Sequence, residues 1–347
     1  MKVAPSPQNP MEWFALKSNL VPVPLGHTQI MFVLSRAVLI ATKLNVFEAA
    51  KDAPLSIEEL AAACGINKRA LQSLMHLLTS AGYFHADHEK YALTKMARKW
   101  CLKDSETSVY HQQMYNLIGW DWMSYMEEFL HTGKGLQYHD TFTDEQWKWY
   151  QSGMEDVSKG TAKIAPRKMP VPANATDMLD IGGSHGLYSV EVCKKFPAMK
   201  AVILELPKGV EHAKPLLAKH NLGDRVTYWA GDARKEDLGE NKYDVILISS
   251  LMHHFTGEEN IAISQKAARA LKPEGIYVIQ EFARPEEGNQ MEMLGAINDL
   301  YFNLTSTSGS WSLKELKGFQ TLAGLNHFKV NTFISLPGFV QVCARKG

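Results

Sequence analysis

Two adjacent histidines, His253 and His254, follow the apolar run YDVILIS, and Glu281 closes the next apolar run, IYVIQEF. An imidazole, with an ordinary pKa near 6.5, is the side chain best matched to a proton leaving a hydroxyl at neutral pH. A carboxylate on its second ring nitrogen would fix the tautomer and stabilise the imidazolium that forms. His253 as base and Glu281 as its orienting acid fit those roles, although a His-His pair after a strand also serves as a cap or a surface feature.

A second constellation lies upstream. The run MLDI enters Asp180-Ile-Gly182-Gly183-Ser-His-Gly186, and a helical stretch from Leu187 to Phe196 follows. Ser184 occupies the second glycine that a G-x-G-x-x-G dinucleotide fingerprint requires, and there is no G-x-x-x-x-G-K-[ST] loop. The glycines serve either a tight structural turn or close approach of a ligand. Two further runs end in acids, at Glu205 and at Gly231-Asp232. In open α/β sheets ligands sit at the carboxyl ends of the strands, where an acid about 20 residues past the glycines accepts hydrogen bonds from ribose hydroxyls. These strand ends carry no basic residue for a pyrophosphate. A nucleoside bearing positive charge suits them better, and S-adenosylmethionine, with a ribose, an ammonium and a sulfonium, is such a ligand.

The elements around these residues follow from periodicity. From Thr176 onward, short near-continuous apolar runs alternate with helices, which implies a parallel sheet covered on both faces. The final runs, around a Leu-Pro-Gly turn, imply an antiparallel pair at the end of that sheet. MPVPANA (169–175) reads as a linker. Upstream, Ile30–Ala50 has helical spacing, and two short helices flank a turn at residues 65–67. Ser56 and Glu59 form a capping box, Gly82 ends the second helix, and FHADHEKYALT reads as a hairpin. Helix, turn, helix and hairpin together predict a winged helix. His85 and His88 lie in the wing with no further metal ligands in view, and no metal site is expected. His185 either approaches the ligand or caps the following helix. Residues 100–150 hold twelve aromatics, which either pack the core and a dimer interface or wall an aromatic substrate pocket.

Composition narrows the function. The 347 residues suggest two domains, 45% are apolar, and 37 basic residues balance 37 acidic ones. Zero net charge argues against coating a nucleic acid. The four cysteines form no C-x-x-C pair and read as buried thiols in a reducing compartment. No signal-peptide h-region is visible at the N-terminus. The most apolar stretch, 30–47, is broken by Arg36 and Lys43, short of a membrane span. A soluble, cytoplasmic protein with no membrane and no nucleic-acid partner is the expectation.

On these motifs the C-terminal half resembles the class I S-adenosylmethionine-dependent methyltransferases. The whole chain is similar to the dimeric small-molecule O-methyltransferases, such as caffeic acid O-methyltransferase and the bacterial antibiotic and pigment enzymes. The family pattern D-x-G-G-G-x-G falls on residues 180–186, its ribose acid on Glu205, its adenine-side pair on Gly231-Asp232, and its L-H-D-W on 252–255. A turn LKPEG (271–275) before the fifth strand matches as well. The resemblance implies an α/β fold: a Rossmann-like parallel sheet with an antiparallel C-terminal hairpin, preceded by an α-helical winged-helix dimerisation domain. It implies three segments: 1–102 for dimerisation, 103–171 as a helical connector contributing to the substrate pocket, and 172–347 for catalysis. It assigns His253 and Glu281 to catalysis. It assigns Asp180, Gly182, Gly183, Gly186, Glu205, Leu206, Gly231, Asp232, Ala233 and Ser249 to the cofactor, which leaves as S-adenosylhomocysteine. Trp147, Met154, Asp299 and Phe302 are the implied contacts to an aromatic acceptor, whose hydroxyl takes the methyl group in a homodimer.

Four positions depart from the family. Ser184 replaces the middle glycine, Ser249 stands where plant members have a lysine, and His254 replaces an aspartate. Gly309-Ser310-Trp311-Ser312 stands where many members carry G-x-E-R-T with a second glutamate, though Ser312 and Glu315 still form a capping box. N- or C-methylation, decarboxylation, hydroxylation or pericyclic chemistry on the same fold, and DNA binding through the winged helix, remain the alternatives.

Overall fold

The computed structural model describes residues 6–286, 293–334 and 336–347, so residues 1–5 of the segment read for a targeting signal lie outside the described residues. The chain falls into two compact units, one ending at Ile118 and one running from Gly119 to Gly347.

In the first unit the helical spacing extends further than the apolar stretch suggested. A continuous helix, Val23–Lys43, holds a π-turn at Gly26–Ile30. Among the described residues it is the one helix long and apolar enough, by length and composition, to cross a membrane. The stretch read as 30–47 was set aside for Arg36 and Lys43; the helix begins seven residues earlier and still carries both. Its early turns leave Leu25, Ile30, Phe32 and Val33 exposed, while Val38, Leu39 and Ala41 are buried. Ser56 caps Ile57–Cys64 with Glu59 closing the box, and Gly65, at φ +65°, ends that helix. Helix Lys68–Ser80 buries Leu71, Met75 and Leu78, one apolar stripe at i, i+4, i+7. Strands β1 (Leu55–Ser56), β2 (Phe84–Asp87) and β3 (Lys90–Leu93) form a sheet ordered β1-β3-β2. The β2–β3 turn places His88 and Glu89 at positive φ, and His85 and His88 are solvent-exposed.

The second unit is built on a seven-stranded sheet of β4 (Asp177–Ile181), β5 (Lys200–Glu205), β6 (Val226–Ala230), β7 (Tyr243–Ser249), β8 (Leu271–Phe282), β9 (Asn326–Thr332) and β10 (Phe339–Arg345), ordered β6-β5-β4-β7-β8-β10-β9. Strands β4 to β8 are parallel neighbours, and β10 pairs antiparallel with both β8 and β9. Separate apolar clusters cover the two faces. Ile246 and Ile248 join one and Val245 and Leu247 the other, all fully buried. Burying each such side chain contributes roughly 1.5–3 kcal/mol.

One expectation needs correcting. The turn at residues 271–275 does not precede β8. It is absorbed as an irregularity within it, because Leu271 already pairs with Tyr243 and the next pair is Val245 with Ile276. Glu274, at φ +63°, lets the extra residues loop out without ending the strand. Helices α1 (Asp144–Ala162), α2 (Leu187–Lys195), α3 (Pro207–Ala218), α4 (Gly257–Ala270), α5 (Met293–Thr305) and α6 (Leu313–Leu322) complete what positions the site.

Candidate functional site

The carboxyl edge of the parallel strands gathers the chemistry-bearing residues. The glycine loop leaves β4 with Gly182 at φ +67°, its N–H donating to Leu204 at 2.7 Å. A Cβ on Gly182 would fall 2.4 Å from Leu251, and one on Gly183 would fall 2.6 Å from the Asp180 carboxyl. The chain itself thus requires both glycines. Ser184 takes a left-handed φ of +49°. Three contacts hold it there: its N–H donates to Glu205 Oε2, its hydroxyl to Gln151 Oε1 on α1, and its carbonyl accepts from the Tyr228 hydroxyl. His185 resolves as a cap, because its Nδ1 accepts the Leu187 N–H at 3.0 Å; burial pushes its pKa down to about 3. Asp180 is buried behind the loop and accepts the Ser189 hydroxyl at 2.7 Å, and burial pushes its carboxyl up to about 7.

Glu205, at the end of β5, is oriented through both oxygens. Oε2 accepts from Ser184 and Oε1 from the Leu206 N–H at 2.8 Å. Burial raises its pKa, against these two donors. A Cβ at Gly209 would meet the Glu205 side chain at 2.7 Å, so α3 also makes room for it. Past β6, Gly231 and half-buried Asp232 lead to buried Ala233. Here the expectation of strand ends free of basic residues fails. Arg234 donates to Asp232 through Nε and Nη2, at 3.1 and 2.9 Å. Burial pushes the Asp232 carboxyl up, but the Arg234 bonds outweigh it and hold it below its ordinary value. Lys266 donates to the carbonyls of Ala233 and Arg234, fixing the loop from α4. Ser249, at the end of β7, has a buried hydroxyl that faces the Tyr188 hydroxyl and meets no well-formed hydrogen bond among the described residues.

His253 lies in a short 3-10 turn, Met252–His254, beyond β7. Its Nδ1 is 3.1 Å from Glu281 Oε2; His253 is 3% exposed and Glu281 fully buried. A carboxylate only accepts, so the contact is Nδ1–H to Oε2, which leaves Nε2 with its lone pair. Glu281 Oε1 accepts the Phe282 N–H, so neither oxygen is free to swing. Phe302, from α5, stacks on the imidazole with centroids 3.9 Å apart and planes 9° apart. The turn is clamped from two further elements. Asn260 Nδ2 and the Trp311 indole both donate to the Met252 carbonyl, and the Ser308 N–H donates to the His253 carbonyl. His254 packs at 4.4 Å from His253 and 5.0 Å from His139; burial, then the two neighbouring imidazoles, keep it neutral.

The four residues implied as acceptor contacts divide. Phe302 reaches His253 itself. Trp147 is buried, stacked parallel on His212, and belongs to a ring cluster with His139, Phe142 and Tyr150. That cluster reaches His254 through His139 and Tyr138. Met154 is half-buried on α1. Asp299 accepts the Ser310 N–H and the Asn303 amide, and burial raises its carboxyl pKa. The sequence reading passed over Gln151, Asn260 and His139; Tyr150, among the twelve aromatics, and Trp311 were in view, with no individual role assigned. For Gln151 and Asn260 the signal is a polar side chain on the buried face of a helix.

Comparison with known proteins decides the family. Residues 123–326 match the model of the O-methyltransferase domain, and residues 27–103 match the O-methyltransferase dimerisation domain. The chain belongs to the O-methyltransferase family. A curated relative, mitomycin biosynthesis 6-O-methyltransferase of Streptomyces lavendulae, is 26% identical over 261 residues, 71% of this chain and 73% of that protein. The L-tyrosine C(3)-methyltransferase of the same organism is 23% identical over 313 residues, covering 82% of each. Human N-acetylserotonin methyltransferase, solved with S-adenosylmethionine, shares the fold at a TM-score of 0.83 with 16% identity, over 99% of this chain and 100% of that one.

The methyltransferase is therefore an S-adenosylmethionine-dependent enzyme, and its strand ends suit that cofactor. The glycine loop offers no cation to a phosphate, and Glu205 is preset by two backbone donors with its carboxylate at the strand end. Among the described residues no group of acids, histidines or cysteines could hold a metal ion.

Proposed function

We propose that this methyltransferase moves a methyl group from S-adenosylmethionine to a hydroxyl of an aromatic small molecule, with His253 as general base. The buried His253–Glu281 contact carries this reading. Bound cofactor supplies an electrophilic sulfonium methyl. On the protein side, Glu205, Ser249 and the loop 180–186 would hold the nucleoside, with Leu206, Asp232 and Ala233 beside it. His253 Nε2 takes the acceptor's hydroxyl proton as the oxygen attacks in line. Glu281 keeps the proton on Nδ1 and balances the imidazolium. Phe302 fixes the ring plane. The rings of Tyr138, His139, Tyr150, Trp147 and His254 offer an apolar, largely neutral wall to an aromatic acceptor. The domain reading is carried forward with it: 1–102 for dimerisation, 103–171 as connector and 172–347 for catalysis.

Incubation with methyl-labelled cofactor and a panel of phenols tests the proposal. Label in an ether product that wild type forms and His253→Ala does not is the expected result; label on carbon or nitrogen overturns the oxygen assignment. The C-methylating relative makes carbon the reading to weigh against it.

A further inference from the structure

Loop 306–310 is bonded to the backbone of the turn that carries His253 and holds polar groups that the mechanism above does not use. The Ser308 N–H donates to the His253 carbonyl at 3.2 Å, and the Trp311 indole donates to the Met252 carbonyl at 2.9 Å. Ser310 lies between these two ties, on a segment bound to the very turn that carries His253. Its N–H donates to Asp299 Oδ1 at 3.1 Å, and the preceding Gly309 turns at φ +67° with Asn303 closed over it. The backbone of Ser310 is thus fixed from both sides. Its hydroxyl is not: Ser310 is 3% exposed, and its Oγ has no partner among the described residues. Ser306, on the same loop, leaves a second buried hydroxyl unsatisfied.

An unpaired buried hydroxyl is costly, and nothing in the packing demands one here, since alanine would fill nearly the same space. A hydroxyl retained at such a cost on a loop bonded to the turn of His253 points to a ligand that pairs with it. A hydroxyl can donate or accept, and the donor role is the one that a neutral carbonyl oxygen on the acceptor would use.

We infer that Ser310 is a specificity-determining residue whose hydroxyl donates to a carbonyl oxygen next to the reacting hydroxyl of the acceptor. This selects ortho-hydroxy carbonyl compounds over isomers with the two groups apart. The inference rests on the reading that the acceptor hydroxyl is presented to His253.

The test uses two isomers of one formula, 2-hydroxyacetophenone and 4-hydroxyacetophenone, titrated into the full chain loaded with S-adenosylhomocysteine. Ser310→Ala should weaken the 2-isomer roughly three- to tenfold, the worth of one neutral hydrogen bond, and leave the 4-isomer within about twofold. Ser310→Thr, which keeps the hydroxyl, should retain the preference. The ligand-free alanine variant should melt higher than wild type by about 1–3 °C, since it loses an unsatisfied group; a hydroxyl with a purely structural role would give a lower Tm. Equal losses for the two isomers, no loss for either, a lowered Tm, or failure of wild type to bind either isomer would each overturn the inference. Preferential binding without methyl transfer would instead sink the functional reading and leave the subsite standing. Transfer without preference would sink the subsite alone.

Discussion

Replacing His253 with alanine isolates the base. The imidazole is almost fully enclosed, held by Glu281 at 3.1 Å and by Phe302 stacked at 3.9 Å. Water is poorly placed to take over its role there. A phenol with a pKa near 10 is ionised to about one part in a thousand at pH 7. A variant that must wait for spontaneous ionisation should therefore turn over about 10³-fold more slowly, near 4 kcal/mol in barrier and within the range of general-base catalysis. The same arithmetic sets its pH dependence: the residual rate should rise about tenfold per pH unit from 7 to 9 as phenolate accumulates. Single-turnover transfer of labelled methyl, with cofactor affinity measured by calorimetry, reads both quantities. Affinity should hold, because the base acts on the acceptor and not on the sulfonium. Glu281→Gln should lose less, and the double variant should be no slower than His253→Ala, because the two side chains act as a unit. His254→Ala should be nearly silent. A variant within tenfold of wild type at pH 7, or a residual rate flat in pH, would refute the assignment, and a dead His254→Ala beside an active His253→Ala would show that the neighbouring histidine is the base.

Glu205→Ala should weaken cofactor binding by roughly 1–3 kcal/mol, the worth of charge-assisted hydrogen bonds; an unchanged dissociation constant would remove Glu205 from the site. Asp180, at about 7 in the folded chain against about 3.9 unfolded, binds a proton in the native state over that window, so its contribution to stability falls as pH rises from 4 to 7. Asp180→Asn should therefore gain on wild type by on the order of 3 kcal/mol between those pH values in urea unfolding, whereas parallel stability curves would contradict the burial argument. His185, pushed down to about 3, works in the opposite direction: its contribution is lost as pH falls from about 6.5, so His185→Gln should lose relative to wild type toward neutral pH and gain in acid. The exposed Ile30, Phe32 and Val33 within the matched dimerisation segment, with Leu25 just before it, should keep the protein dimeric. A stable monomer at micromolar concentration in light scattering would count against that.

What was legible in the sequence was what local rules write. The alternation of apolar runs and helices gave the sheet, and the Ser56 and Ser312 boxes marked where two helices start. The glycines at 182 and 183 are required by backbone turn and packing, so they stand out at any distance from their ligand. The pairing of His253 with Glu281 was also within reach, because β7 and β8 are parallel neighbours in register, Ser249 beside Gln280, and residues just past their ends must meet. Tertiary structure alone decided the rest. Gln151 reaches Ser184 from a helix that ends before the first strand of the sheet begins, and Trp311 and Ser308 tie down a turn more than fifty residues earlier. Phe302 could have lined the acceptor pocket or the base, and packing chose the imidazole face. Arg234, two residues from Asp232, turned back onto it and took the charge that the strand ends were expected to leave free. Each of these depends on the direction in which a side chain leaves an element docked by apolar burial. That burial has no direction of its own, so periodicity fixes which face is inside but not which two polar groups it brings together.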